Sequence, residues 1–260
     1  MTTSKILIIA GSDSCSGAGA QIDLKTCSKL NCYATTAFSC LTAQNTQKVD
    51  KIYNIDPDFI ISQIKSILDD IKIDAIKIGM LASQEACDTI FNFFKDKDFK
   101  IILDPVMIAT SGDSLLEDSA LNSLKQLASI CHLITPNINE AEILSDQKIN
   151  NLPNMIIAAE KIYQETKAKN ILIKGGHLDL SDNTVHNLLY DKFNQHFWLQ
   201  SEKYQLVNEI HGTGCALASA ISCNIAQGAN ILNACQDSID FIANSILSSK
   251  QIGKGSYVLF

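Results

Sequence analysis

The sequence predicts an α/β fold with a mostly parallel sheet and helices on both of its faces. Short apolar runs alternate with segments of helical periodicity along the chain, which is the pattern of such folds. The 260 residues are 46% hydrophobic, enough to fill one large core. No segment repeats or has low complexity, so we expect one domain over residues 1–260.

The strands of this sheet are predicted at the apolar runs between turn residues. Residues 185–199 (VHNLLYDKFNQHFWL) predict instead a hairpin around the polar turn DKFN. The predicted strands of the sheet are Lys5 to Ala10, Tyr33 to Ser39, Ala75 to Ile78, Lys100 to Leu103, His132 to Thr135 and Asn170 to Lys174.

The clearest helix is predicted to begin at Pro57. Asp56 is a good N-cap, and Pro57 suits the first helical position. Asp69 and Asp70 mark the end of the helical pattern. The apolar face that we expect to pack on the sheet holds Ile60, Ile61, Ile64, Ile67, Leu68 and Ile71.

The charge of the chain argues against a nucleic-acid partner. The net charge is −7 and the pI is about 5.2, whereas nucleic-acid binders carry a basic surface. All 21 basic residues are lysine. Without arginine, a phosphate-binding site must use lysine, backbone amides and metal ions.

The nine cysteines are scattered singly, with no C-x-x-C pair and no zinc-type spacing. This pattern is typical of reduced thiols, so we expect a cytoplasmic protein. The apolar run after the N-terminus is too short for a secretory signal or a membrane span. We therefore expect no membrane partner.

The most informative motif is HGTGC, His211 to Cys215, which runs directly into a helix of small residues. Its two glycines let backbone N–H groups turn toward one point, and the helix adds the positive end of its dipole. The segment predicts an anion site for phosphate with a thiol inside it. The alternative is a glycine turn before a buried helix whose cysteine only packs.

Polar side chains also follow several predicted strands, at the edge where parallel sheets bind ligands. Asp104 is either a turn cap or a residue of a metal and phosphate site. Asn137 and Glu140, three residues apart at a helix start, suit either the waters around Mg²⁺ or a helix cap. Lys174, before two glycines, is either a phosphate ligand or a solvated strand end.

Taken in order, the motifs resemble those of the ribokinase-like superfamily, and specifically the hydroxymethylpyrimidine/phosphomethylpyrimidine kinases of thiamine biosynthesis. They are AGSD, GAGAQIDLKT, TAQNT, KIGML, DPVM with SGD, TPN with N-x-x-E, KGGH and HGTGC. The resemblance implies a three-layer α/β/α sandwich, a homodimer, and an ATP-dependent kinase with bound Mg²⁺. The implied substrates are 4-amino-5-hydroxymethyl-2-methylpyrimidine and then its monophosphate.

The resemblance implies a role in phosphoryl transfer for the HGTGC residues. Cys215 would be the base that takes the hydroxymethyl proton, with a pKa lowered toward neutrality by the helix N-terminus. The backbone at Gly212 and Gly214 would hold the transferring group. The residues implied for the ATP and magnesium sites are Lys174, Thr213, Asn137, Asp104 and Glu140.

The resemblance also implies a pyrimidine pocket. Gln44, from TAQNT, would read the ring, because its amide can accept from the exocyclic amine and donate to the adjacent ring nitrogen. Asp23 and Gly11 would line the same pocket. Met80 and Val106 would contact the faces of the ring.

Three other functions stay open at this point. Pyridoxal kinase is the first, with the same implied fold and mechanism but a pyridine substrate. The second is a thiol acyl-transfer enzyme in which Cys215 is the nucleophile, a histidine is its partner and the glycine amides form an oxyanion hole. The third is a sensor without catalysis, which ATP turnover would exclude. His177 and His211 occupy motif positions, and we expect them to pack or to bond to the backbone.

Overall fold

The computed structural model describes residues 3–107, 118–176, 178, 183–204 and 210–260. The strands in this part of the chain are β1 (Lys5–Asp13), β2 (Tyr33–Gln44), β3 (Val49–Asn54), β4 (Ala75–Ile78), β5 (Ile101–Leu103), β6 (Leu133–Ile134), β7 (Asn170–Ile173), β8 (Thr184–Asp191), β9 (His196–Glu202), β10 (Ile210–His211) and β11 (Tyr257–Val258). The helices are α1 (Gly19–Lys29), α2 (Pro57–Leu68), α3 (Gln84–Phe94), α4 (Leu121–Ala128), α5 (Ile138–Ser145), α6 (Leu152–Thr166), α7 (Thr213–Ala226) and α8 (Ile231–Ile246).

A nine-stranded sheet with the order β3-β2-β1-β4-β5-β6-β7-β8-β9 forms the middle layer. The strands from β2 to β7 in this order run parallel to one another. Antiparallel strands flank them, with β3 at one edge and the β8–β9 hairpin at the other. The predicted parallel sheet and the predicted hairpin are confirmed.

The side chains of β1 show why the sheet is covered on both faces. Leu7 and Ile9 belong to the core that includes residues of α2, α3 and α6. Ile6 and Ile8 belong to the core that includes residues of α1, α7 and α8. Because successive side chains of a strand point to opposite faces, a continuous apolar run fills both cores. The predicted three-layer sandwich is confirmed.

The predicted helix at Pro57 forms as α2. The carboxylate of Asp56 accepts hydrogen bonds from the backbone N–H groups of Asp58 and Phe59, and α2 ends before Asp69. Ile60 and Ile64 are fully buried, and the other predicted apolar residues are partly buried against the same core.

The structure differs from the predicted elements mainly at the carboxyl ends of the parallel strands. β1 runs on to Asp13 through a bulge after Ala10, and β2 runs on to Gln44. β3 was not predicted, because most of its side chains are exposed and it carries no apolar alternation.

No helix in the described part of the chain is long and apolar enough to cross a lipid bilayer.

Candidate active site

A cavity of about 690 Å³ lies at the carboxyl ends of β1, β4, β5 and β7, beside the N-terminus of α7. All predicted site residues except Asp23 line it. The parallel sheet brings them together from distant parts of the sequence. Their placement is observed, and their roles stay predictions. These lining residues are Gly11, Gln44, Met80, Asp104, Val106, Asn137, Glu140, Lys174, Gly212, Thr213, Gly214 and Cys215.

The HGTGC motif forms the start of α7 at the wall of this cavity. Gly212 caps α7 with a φ of 81°, a left-handed conformation that favours glycine. A Cβ at Gly212 would overlap the carbonyl group of Gly17, so the two backbones touch. The first helical hydrogen bond runs from Ala216 N to Gly212 O (2.9 Å). The three N–H groups at 213–215 therefore have no acceptor within the helix and can face an anion.

Cys215 lies half-buried in the first turn of α7. Burial raises the pKa of the Cys215 thiol to about 12, and Lys77 opposes this rise while Asp23 adds to it. We predicted a pKa lowered toward neutrality, and this prediction is wrong in the ligand-free protein. Removal of the thiolate from water outweighs the favourable end of the helix.

Lys174 joins the carboxylates of the site. Its Nζ lies 2.8 Å from Asp104 Oδ1 and 3.9 Å from Glu140 Oε2. Thr135 Oγ1 donates to the same Asp104 oxygen over 3.1 Å. Burial alone would raise the pKa of Asp104, but the Lys174 ammonium and its other partners hold that pKa below its usual range. A Cβ at Gly214 would lie 3.1 Å from Lys174 Nζ, so this ammonium adjoins the first turn of α7.

Asn137 and Glu140 form a capping box at the start of α5. Asn137 Oδ1 accepts from Glu140 N over 2.9 Å, and Glu140 Oε2 accepts from Asn137 N over 2.8 Å. Burial raises the pKa of Glu140 to about 7, although Lys174 opposes the rise. The helix-cap alternative is thus realised in the structure, and it leaves the Glu140 carboxylate at the cavity surface.

The carboxylates of Asp104 and Glu140 suit a magnesium ion whose water ligands they could accept hydrogen bonds from. Among the described residues, Asp104 Oδ2 has no hydrogen-bond partner, whereas Oδ1 is taken by Lys174 and Thr135. Mg²⁺ prefers oxygen ligands and keeps several waters, so one carboxylate oxygen of Asp104 with Glu140 nearby matches its needs.

Gln44 extends into the cavity with its amide already oriented. Its Nε2 lies 2.8 Å from His211 Nε2, and its Oε1 accepts from Thr42 Oγ1 over 3.2 Å. The His211 ring also lies 3.5 Å from Asp13 Oδ2. With respect to the residues that the structure describes, one amide hydrogen and one lone pair of Gln44 remain for a ligand, which is the number that a two-point contact needs. His211 therefore bonds to a side chain of the pocket rather than only packing or bonding to the backbone.

A tight sulfur-lined floor lies beside Gln44. A Cβ at Gly11 would lie 2.7 Å from Cys40 Sγ and 3.4 Å from Met80 Sδ, so only glycine fits there without a shift. Met80 and Cys40 form a small buried cluster against which Val106 packs. These apolar groups suit contact with the faces of a flat ring.

Asp23 does not line the cavity, contrary to our prediction. Its carboxylate is fully buried, where Oδ2 accepts from Lys77 Nζ over 2.7 Å and Oδ1 accepts from Ser219 Oγ over 2.8 Å. It lies on the stripe of α1 that also holds Ala20 and Cys27, three residues before it and four after it. This helical spacing was the signal that the residue faces inward.

Lys77 is the site residue that sequence reasoning missed. It is fully buried, lines the cavity and forms an ion pair with Asp23. Burial alone would lower the pKa of Lys77, but Asp23, Cys215 and Asp104 raise it overall, so the group is an ammonium. The strand AIKI is buried throughout, and a lysine within such an apolar strand indicates that a buried carboxylate pairs with it.

An apolar part of the cavity was also missed. It comes from α7, α8 and β8, of which β8 lies near the opposite edge of the sheet from β2, the strand of Gln44. No single motif marks it, because its residues belong to separate elements. They are Val185, Leu217, Ile239, Ile242, Ala243 and Ile246. The SGD motif at 111–113 and His177 lie outside the described residues.

Known proteins resemble this chain over nearly all of its length. Hydroxymethylpyrimidine/phosphomethylpyrimidine kinase of Aquifex aeolicus is 37% identical over 255 residues, which cover 97% of this chain and 98% of that protein. The ADP complex of Bacillus subtilis pyridoxal kinase has a TM-score of 0.89 at 32% identity, covering 99% of this chain and 97% of that one. Phosphomethylpyrimidine kinase of Clostridium difficile 630 has a TM-score of 0.81 at 36% identity, covering 94% of this chain and 100% of that one.

The sequence model of one family, described as phosphomethylpyrimidine kinase, matches residues 13–259. This span contains every predicted site residue except Gly11, and it runs through the whole sheet from the end of β1. The chain belongs to the phosphomethylpyrimidine kinase family.

Proposed function

We propose that the protein uses Mg-ATP to phosphorylate 4-amino-5-hydroxymethyl-2-methylpyrimidine and then its monophosphate, in thiamine biosynthesis. One observation carries the proposal. A single cavity holds an oriented amide beside a ring-sized apolar floor, an anion site at α7, and a second apolar part between α7 and α8. The identity of the substrate is inferred from the kinases of the matched family.

The two ends of the cavity suit the two reactants. The free hydrogen and lone pair of Gln44 match the aminopyrimidine edge, and Met80 with Val106 covers its faces. The apolar residues of α7 and α8 suit the base of a nucleotide, since ligand rings are mostly held by apolar contacts. The anion site between them then holds the phosphates.

The first transfer moves a phosphoryl group from ATP to the hydroxymethyl oxygen. The new P–O bond forms on that oxygen, the bond to ADP breaks, and the hydroxyl proton passes to the Cys215 thiolate. The N–H groups at 213–215 and the Lys174 ammonium face the negative charge of the transferring group. Asp104 and Glu140 would hold a Mg²⁺ ion through its waters, and such an ion would supply further neutralisation of phosphate charge.

The resting Cys215 is a thiol, because its pKa is raised to about 12. It must give its proton to solvent water or hydroxide before it can accept one from the substrate. Positioning and charge stabilisation at the anion site therefore carry the larger part of the catalysis, and the base the smaller part.

The acyl-transfer alternative lacks its second group in the described part of the chain. A thiol nucleophile needs a histidine partner. The His211 ring faces Gln44 and Asp13. The charges that act on the pKa of the Cys215 thiol are those of Lys77, Asp23 and Asp104, and the thiol is bonded by the Gly19 N–H.

Pyridoxal kinase is the second candidate, on the strength of the TM-score of 0.89 to the Bacillus subtilis enzyme. One experiment separates the two. The purified protein is incubated with Mg-ATP and either the hydroxymethylpyrimidine or pyridoxal, and the products are weighed by mass spectrometry. Mono- and diphosphate of the pyrimidine support the proposal. Pyridoxal phosphate without either pyrimidine product rejects it.

We also propose that the protein is a cytoplasmic homodimer, as the family resemblance implies. The unpaired, scattered cysteines support a reducing compartment. Light scattering coupled to size-exclusion chromatography tests the dimer, and cell fractionation tests the location.

A further inference from the structure

A cluster of metal-type ligands that does not include Asp104 or Glu140 lies where β1 ends. It joins Asp13, Cys15 and His211, whose ligand atoms all lie within 4.8 Å of one another. Asp13 Oδ2 lies 3.4 Å from Cys15 Sγ and 3.5 Å from His211 Nε2. In the part of the chain that the structure describes, no other group of three His, Cys, Asp or Glu residues meets in this way.

The separations in this cluster match those between the ligands of one zinc ion. Zinc bonds to sulfur, nitrogen and oxygen are about 2.0 to 2.3 Å long, so a tetrahedral arrangement places neighbouring ligand atoms about 3.4 to 3.6 Å apart. A carboxylate, a thiolate and an imidazole are all ligands that zinc takes in proteins. Three protein ligands leave a fourth position open, and Asp13 and His211 both line the cavity.

The Asp13 carboxylate is held in place by the backbone of its own loop. Oδ1 accepts from Cys15 N over 2.9 Å, and Oδ2 accepts from Gly17 N over 2.9 Å and from Ala18 N over 2.8 Å. The residue is buried. Carboxylates that bind metals are typically oriented by hydrogen bonds of this kind. The loop thus fixes one ligand before any ion binds.

His211 offers a ring nitrogen with a lone pair. Its Nε2 lies 2.8 Å from Gln44 Nε2, and an amide NH₂ group can only donate, so this contact requires an acceptor lone pair on the ring nitrogen. A metal ion binds to the same lone pair of a neutral imidazole. A zinc ion on His211 Nε2 and the hydrogen bond from Gln44 therefore exclude each other.

Cys15 makes the cluster suitable for a thiophilic ion. Cys15 and Cys215 are the two cysteines of the chain that are not buried. The Cys15 thiol donates to Asp13 Oδ2. When zinc binds, the S–H bond breaks, a Zn–S bond forms and the proton leaves to solvent. The ion thus takes the place of a proton that the thiol and the carboxylate already share.

We propose that Asp13, Cys15 and His211 form a binding site for zinc or a similar thiophilic divalent cation, and that the bound ion separates His211 from Gln44. The site itself does not depend on the proposed function. Its effect on catalysis does, because loss of the Gln44 hydrogen bond would weaken the binding of the pyrimidine.

The test uses Co²⁺ as a spectroscopic probe and Zn²⁺ as the ligand, with excess Mg²⁺ to occupy sites that prefer hard cations. Cobalt bound to a thiolate gives a charge-transfer absorption band in the near ultraviolet. Cys15→Ser removes the thiol and keeps a hydroxyl that can donate to Asp13. Cys215→Ala is the matched control, because it removes the other partly exposed thiol and leaves the cluster intact. Thermal unfolding without metal shows that each variant is folded.

We expect the cobalt–thiolate band in wild type and in Cys215→Ala, and its loss in Cys15→Ser. Zinc affinity, measured by competition with a chromophoric chelator, should fall more than about tenfold in Cys15→Ser. Loss of a group that only orients a metal ligand already costs about 10- to 100-fold in affinity. His211→Gln removes a second ligand and should lower zinc affinity as well.

Three results would overturn the zinc site. They are the absence of a cobalt–thiolate band in wild type, survival of that band in Cys15→Ser, and equal zinc affinities of wild type and Cys15→Ser. A thiol that only caps the loop predicts the third result, because the serine hydroxyl replaces its hydrogen bond to Asp13.

The zinc site and the proposed function can fail separately. At a buffered free zinc concentration that fills the site, the KM for the pyrimidine should rise in wild type and stay unchanged in Cys15→Ser. An unchanged KM in zinc-loaded wild type would refute the separation of His211 from Gln44. If wild type makes no phosphorylated pyrimidine, the proposed function fails, whereas the cobalt and zinc measurements still support or reject the site.

Discussion

Gln44 Nε2 lies 2.8 Å from His211 Nε2, which joins the turn of TAQNT to the first residue of HGTGC. His211 is itself held in a short strand pair with β11. The same His211 Nε2 lies 3.5 Å from Asp13 Oδ2, and this oxygen also accepts the N–H groups of Gly17 and Ala18. The Gln44 amide is thus fixed by the first residue of the HGTGC motif, which we propose as the phosphate site.

Replacing Gln44 by leucine should raise the KM for the pyrimidine and leave the KM for ATP nearly unchanged. The change removes both contacts to the ring and leaves its polar edge unpaired, a loss of about 1 to 3 kcal/mol. Steady-state kinetics with each reactant varied in turn measures this. Gln47→Leu, on an exposed residue of the adjacent turn, is the control and should change neither value. Equal weakening of both reactants would show damage to the fold.

The turnover number should rise with pH if Cys215 is the base. With a pKa raised to about 12, the thiolate fraction grows with pH throughout the accessible range. Below the pKa it grows about tenfold for each pH unit. We expect log kcat to rise from pH 6.5 to 9 in wild type and to stay flat in Cys215→Ala. A flat wild-type profile would contradict the assignment of the base, provided that chemistry limits the rate.

Cys215→Ala should separate binding from chemistry. The backbone of α7 and its N-terminal N–H groups stay in place, so ATP should still bind. The turnover number should fall by roughly 10²- to 10⁴-fold, the usual contribution of a general base. Isothermal titration and product analysis measure the two effects. Cys215→Asp restores a proton acceptor and should recover part of the lost turnover. Near wild-type turnover by Cys215→Ala would contradict the assignment of Cys215 as the base.

Gly212→Ala should weaken ATP binding and turnover together. The residue has a φ of 81°, and a Cβ would meet the carbonyl group of Gly17, so the N–H groups of the anion site must shift. Gly228→Ala is a matched control, because Gly228 has a φ of 98° but no atom of the described residues lies within 4 Å of the added Cβ. Backbone strain should cost each variant about 1 kcal/mol of stability, and Gly212→Ala should lose more because its Cβ also meets Gly17. Only Gly212→Ala should lose ATP affinity, and equal affinities would show that the turn tolerates the change.

The parts of the fold that could be predicted depend on local signals. α2 follows from Asp56, Pro57 and the apolar spacing after them, all of which act within a few residues. β3 carries no such signal, because its residues are mostly exposed and its position depends on pairing with β2. That residues 1–260 form one domain stays a prediction.

The candidate site shows the same division. Motif residues such as Asp104 and Lys174 were predicted one by one, but their 2.8 Å ion pair depends on two strands that are far apart in sequence. The raised pKa of Cys215 could not be predicted from HGTGC, because its main cause is the burial that the whole fold creates. Asp23 was misplaced because a motif gives a role to a residue without giving the direction of its side chain.

The predicted recognition residues of the cavity come from the two edges of the sheet, and its charged residues come from the centre. Gln44 belongs to the edge formed by β2 and β3, and Val185 to the opposite edge formed by β8 and β9. The charged residues between them follow the central parallel strands. Val185 lies far along the sheet from Gln44, but Gln44 is tied to the HGTGC motif through His211, so a mutation at the edge of Gln44 also reaches the centre. A change of specificity on this scaffold would have to keep the Gln44–His211 contact or replace it.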